Sequence, residues 1–212
     1  MPRLATAALA LVTFTLTGAT AATAAPAQST FRAGYETSIA DFTSSRTVLK
    51  IPRANACNLG DGFVTVQAYE LGRGDKVGAS FTSRCKDGVA SYTGTIYLGG
   101  AEPLDGPIRG GDTITVDIAS DSDQTSVGVD SSAGWGTGVG TPEGFQLDTY
   151  TAYAAGKLGP GSDVGGLRTQ AFKRITVGDD RLGELDSASF SDACSDVTAL
   201  RHEWSFRTRY AC

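Results

Sequence analysis

The chain has 212 residues, with 18 Lys and Arg against 23 Asp and Glu and a formal net charge of −5. An acidic balance of this kind repels phosphate backbones and argues against a nucleic-acid partner. The length allows one domain of ordinary size with a real core.

Residues 1–27 read as a secretory signal peptide. Arg3 and the amino terminus form a short basic segment, Leu4 to Leu16 is apolar, and Ala22-Thr23-Ala24 and Ala25-Pro26-Ala27 both fit an A-x-A cleavage pattern. The apolar stretch is shorter than the roughly 20 residues that span a bilayer, and no later segment is apolar enough to do so. The expectation is an exported, extracellular protein whose residues 28–212 form a single domain, a monomer with no membrane span.

After this leader the chain alternates short β-like runs with turn residues. The runs are 46–51, 63–69, 89–98, 112–118, 145–153, 171–177 and 200–210. Thr113 to Ile118 alternates cleanly, with Ile114, Val116 and Ile118 on one face, as a strand with one buried face does. Lys86-Asp87-Gly88, Gly99-Gly100 and Gly110-Gly111 are turn signals between runs. About ten strands and little helix are expected, which makes a sandwich or a barrel. The stretch from Gly134 to Gly144 holds five glycines and reads as a long loop. Trp135 within it is a candidate to stack on a sugar or peptide, or else to cap the edge of the core.

Cys57, Cys85, Cys194 and Cys212 all follow the leader. An even number in an exported chain implies two disulfides. Three connectivities are possible, and nearest-neighbour pairing favours Cys57 with Cys85 and Cys194 with Cys212. No C-x-x-C spacing points to a zinc or redox site, and no metal or cofactor is expected. Asp117, Asp121, Asp123 and Asp130 gather around one turn, without the EF-hand spacing. His202, the single histidine, lies in Arg201-His202-Glu203-Trp204, and no G-x-S-x-G surrounds any serine, so a Ser-His-Asp hydrolase is not indicated.

Three stretches carry a family likeness. They are Ala33-Gly34-Tyr35 followed by Val48 to Pro52 and Cys57; Gly78 to Cys85 with Gly88 to Tyr92, Tyr97 and Pro103; and Ile108 to Val116 with its Gly111-Asp112 turn. Together these resemble the glutamic peptidases (eqolisins, family G1), secreted acid peptidases. The resemblance implies an all-β, two-sheet, jelly-roll-like β-sandwich. It also implies catalysis by a glutamine and a glutamate. The position matching the glutamine holds Gly78, and that matching the glutamate holds Thr176 or Val177, neither of which handles a proton. No catalytic residue is therefore assigned. Gln67, Glu70, Glu143 and Glu184 are the groups that would supply a displaced pair. The resemblance implies a non-catalytic binder of a peptide, glycan or cell-envelope component, with Trp135 and Tyr97 as candidate contacts. The alternative is an acid endopeptidase with a displaced Gln/Glu pair.

Overall fold

A computed structural model describes residues 29–38, 44–54, 57, 60–72, 75–158, 166–184, 187–199 and 205–212. The leader and His202 lie outside the described residues. Fifteen strands are present among the described residues, numbered here in chain order, rather than the ten expected. They form two antiparallel sheets. The seven-stranded sheet runs β13 (Ser187–Ser191), β1 (Ser29–Ser38), β10 (Thr149–Leu158), β3 (Gly62–Gly72), β4 (Asp75–Lys86), β5 (Val89–Leu98) and β6 (Ala101–Pro103). The eight-stranded sheet runs β14 (Ser195–Ala199), β15 (Phe206–Tyr210), β11 (Thr169–Val177), β2 (Ser44–Lys50), β7 (Thr113–Ser120), β8 (Thr125–Ser131) and β9 (Gly136–Thr141), with β12 (Asp180–Arg181) paired to β11. Helix among the described residues is confined to short 3₁₀ pieces, at Cys57, Gly166–Arg168 and Leu182–Glu184.

The two sheets pack face to face as a sandwich, and period-two alternation explains which side chains meet inside it. Ile114, Val116 and Ile118 of β7 are all buried, as their spacing requires. Val64, Val66 and Ala68 of β3 and Val77, Ala79 and Phe81 of β4 meet them from the other sheet. Aromatic contacts cross the gap at one end. Tyr35 of β1 lies 4.9 Å from Phe206 of β15, which stacks on Phe172 of β11 at 4.6 Å. Tyr210 packs on Phe31 and donates its hydroxyl to the Leu158 carbonyl at 3.1 Å.

Turn chemistry sets the register of the β4–β5 hairpin. Asp87 and Gly88 both have positive φ, 50° and 78°, the twist that a two-residue hairpin turn demands. Asp61 accepts the Asp87 amide at 2.9 Å and holds this turn from the neighbouring hairpin. The two disulfides are Cys57–Cys85 and Cys194–Cys212, the pairing favoured from spacing. The second ties the carboxyl terminus to the segment before β14.

Three local readings change. The Gly134 to Gly144 stretch is not a loop throughout: Gly136–Thr141 is strand β9, paired to β8. Alternating glycines conceal it, because they have no side chain to mark a face. The run expected from Phe145 begins only at Thr149. The four aspartates gather around one hairpin, β7–β8, but only Asp121 and Asp123 lie in its turn. Asp117 sits on β7 and pairs with Arg46 at 3.3 Å, Asp130 sits on β8, and Asp121 caps the β7–β8 turn by accepting the Asp123 and Gln124 amides at 2.8 Å.

Candidate functional site

Alternation sends the other half of each strand to the outer faces. On the seven-stranded sheet, Arg32, Gly34 and Glu36 of β1 point outward. So do Thr151 and Tyr153 of β10, Thr65, Gln67 and Tyr69 of β3, Lys76, Gly78 and Ser80 of β4, and Thr95 and Tyr97 of β5. Register aligns them in rows across the sheet: Gly34, Tyr153, Gln67, Ser80, Thr95, then Glu36, Thr151, Tyr69, Gly78, Tyr97. An outer face is ordinarily solvated, yet Thr151, Ser80, Tyr69, Gln67 and Tyr153 are all at most 9% exposed. These side chains lie down on one another and form an ordered polar-aromatic floor.

Two glycines make that floor possible. A Cβ on Gly34 would stand 2.3 Å from Tyr153 Cβ, and one on Gly78 would stand 2.3 Å from the Ala68 carbonyl and 2.6 Å from Tyr69 Cβ. Gly78 also has a φ of 147°, a conformation that other residues rarely adopt. The rings of Tyr69 and Tyr153 meet edge-on at 5.7 Å, and the Tyr69 hydroxyl donates to that of Tyr153 at 3.2 Å. Burial pushes the Tyr69 phenol well above the usual range, with the Tyr153 hydrogen bond acting in the same direction.

Two cations rest on this floor. The Lys76 ammonium lies 3.7 Å from the Tyr97 ring centroid and 4.0 Å from that of Tyr69, and it donates to Gln67 Oε1 at 3.3 Å. Burial lowers its pKa to about 8. The Arg32 guanidinium lies 4.6 Å from the centroids of both Tyr153 and Phe190. Tyr97, one of the two aromatic candidates, also shares a 3.0 Å hydrogen bond with Ser80. Glu36 is the one carboxylate that β1, β10, β3, β4 and β5 turn outward among the rows named, and Thr151 donates to it at 3.4 Å.

The residues matched to the glutamic peptidase pair do not come together. Gly78 faces outward on the seven-stranded sheet. Thr176 faces outward on the eight-stranded sheet, in a cleft of about 440 Å³ with Arg46, Asp117 and Gly128, and Val177 is in the core. Matching short motifs without the strand order placed the two halves of the pair on opposite sides of the sandwich.

The four groups considered for a displaced pair are equally scattered. Gln67 belongs to the floor. Glu70, three residues on, points into the core with no exposure. Glu143 is exposed beyond β9, and Glu184 is exposed and accepts the Arg181 amide at 2.9 Å. Burial pushes the Glu70 carboxyl up to about 8, and the Ser45 hydroxyl facing it only partly offsets this. By distance and angle neither Glu70 oxygen has a hydrogen-bond partner. Trp135, the second aromatic candidate, packs half-buried against the core. Its ring lies 3.4 Å from the place a Cβ on Gly106 would take, and its buried Nε1 has no hydrogen-bond partner among the described residues.

Arg32 and Lys76 went unnoticed in the sequence, although a signal was present. Phe63, Thr65, Gln67 and Tyr69 alternate with Val64, Val66 and Ala68, so aromatic and amide groups share the polar side of one strand.

No family model matches the chain, and no curated protein resembles it in sequence. Solved structures do share its fold. Scytalido-glutamic peptidase, with a peptide-based transition-state analogue, superposes with a TM-score of 0.61 at 12% identity over 87% of this chain and 100% of that one. SCP-B, an eqolisin in complex with the tripeptide Ala-Ile-His, superposes with a TM-score of 0.60 at 13% identity over the same shares. The fold expected from the three motif stretches is therefore present.

Proposed function

We propose that this chain is an exported, non-catalytic β-sandwich protein that binds an extended peptide across the outer face of its seven-stranded sheet. The observation that carries the reading is the buried floor of Gln67, Tyr69, Ser80, Thr151 and Tyr153 on a face that should be solvated. A surface of ordered rings and polar atoms presents contact area at small further cost in side-chain entropy, because its rotamers are already fixed. Tyr97 is the aromatic contact in this reading. Trp135 closes the core edge. The likeness in fold to two glutamic peptidases solved with peptidic ligands supports a peptide over other ligands.

Catalysis of the glutamic type needs a carboxyl group and an amide that share a substrate bond. On this face the amide is Gln67 and the carboxylate is Glu36. Their strands are separated by β10, which puts the backbones about 10 Å apart. Lys76 already engages the Gln67 carbonyl oxygen.

The test is equilibrium binding of unstructured peptides to the protein lacking residues 1–27, with Tyr97→Ala and Tyr153→Ala as face variants. The reading expects saturable binding that both variants weaken by about tenfold or more. Binding that neither variant changes would remove the face from the account.

A further inference from the structure

Resting on that reading of the face, we infer that its ligand is an acidic peptide, held by Lys76 and Arg32 through two carboxylates. Among the described residues, neither cation on the floor has a carboxylate partner. Arg46 with Asp117 is the ion pair found among the described residues, and it is on the other sheet. Lys76 uses one of its three donors, on Gln67, which leaves two. The guanidinium of Arg32 makes no hydrogen bond among the described residues; its backbone amide, not its side chain, bonds Asp192. Cations seated on tyrosine and phenylalanine faces are held in place while their polar edges stay available. Such groups are ordered and partly stripped of water before any ligand arrives, which favours charge-assisted bonds to an incoming anion.

The geometry also limits the spacing from above. The guanidinium touches Tyr153, Tyr153 meets Tyr69, and the ammonium touches Tyr69. Those steps bound the separation of the two cations at about 14 Å, the reach of about four residues of extended chain. Two carboxylates up to about four residues apart, or a side-chain carboxylate and a terminal one, fall within that limit. Among the described residues, the carboxylate that β1, β10, β3, β4 and β5 turn to this face is Glu36, which accepts from Thr151 and pairs with neither cation. The two cations outnumber it, on a protein whose formal net charge is −5. Because burial lowers the Lys76 pKa to about 8, its share of the attraction fades between pH 7 and 9.

Three probes decide the matter: an acetylated, amidated peptide with glutamates four residues apart, the same peptide with glutamines, and an oligogalacturonate. At low salt the acidic peptide is expected to bind at least about tenfold more tightly than the neutral one. Lys76→Met and Arg32→Met should each erode that preference about threefold, and the double variant should abolish it, with the melting temperature unchanged. Equal affinity for the two peptides, or a preference that survives the double variant, would overturn the charge assignment and leave the peptide-binding face standing. Binding of neither peptide would overturn both. Tighter binding of the oligogalacturonate would overturn the peptide class and reassign the face to an acidic glycan.

Discussion

Glu70 and Tyr150 stand opposite each other on neighbouring strands, and both point into the sandwich with no exposure. The Tyr150 hydroxyl is satisfied by Thr47 of the facing sheet, while among the described residues the Ser45 hydroxyl faces Glu70 without reaching hydrogen-bond geometry at either oxygen. A carboxyl in such surroundings keeps its proton. Its value of about 8, against 4.5 when solvated, means that the folded state binds the proton more tightly than the unfolded state does. The stability it contributes is therefore complete below about pH 4.5 and lost as pH rises through 8. The melting temperature should fall by an amount on the order of 10 °C between pH 5 and 9. Glu70→Gln should flatten that slope. Parallel slopes in wild type and variant would remove Glu70 from the explanation.

Gly78 is held open by its neighbours. Any side chain there meets the Ala68 carbonyl and Tyr69 at under 3 Å, in a backbone conformation suited to glycine. Gly78→Gln should cost about 2 kcal/mol or more, measured by urea unfolding. Combined with Thr176→Glu it should yield no peptidase, since the two positions face opposite ways. Cleavage by that double variant would refute the placement.

All four cysteines are paired, so thiol titration of the denatured, unreduced protein should find none. Replacing Cys194 and Cys212 by serine should cost about 2–4 kcal/mol, seen as a lower urea midpoint, because the closed loop constrains the unfolded chain.

Trp135 lies where β9 and the segment after β6 approach, half-buried against the core. Trp135→Ala should lower stability by about 2 kcal/mol, by the same unfolding measurement. Peptide affinity on the Tyr97 face should stay the same. A large loss of affinity with little loss of stability would restore Trp135 as a ligand contact.

How legible these features were depended on how many faces of a strand are buried. β7 has one buried face, and its alternation was plain in Ile114, Val116 and Ile118. β10 runs buried from Tyr150 to Ala154, because its outer face is covered by the aromatic floor, so its start was misplaced. β9 gave no pattern at all, since glycine marks neither face. The disulfides followed from proximity along the chain. The floor did not, because it joins β1 to β5 through β10, an order that brings residues 32 and 153 together across 121 positions. Gly78 and Thr176 lie on opposite sheets for the same reason: adjacency in a sheet is not adjacency in the chain.

The proposed role requires the outer face to hold a polypeptide without cutting it. The direct measurement is incubation of the protein lacking residues 1–27 with a labelled, unfolded protein substrate from pH 2 to 7, following anisotropy and new amino termini together. The account predicts a rise in anisotropy, weakened by Tyr97→Ala, and no new termini at any pH. Steady accumulation of new termini at acid pH, abolished by Gln67→Ala or Glu36→Ala, would contradict it and make the protein a peptidase.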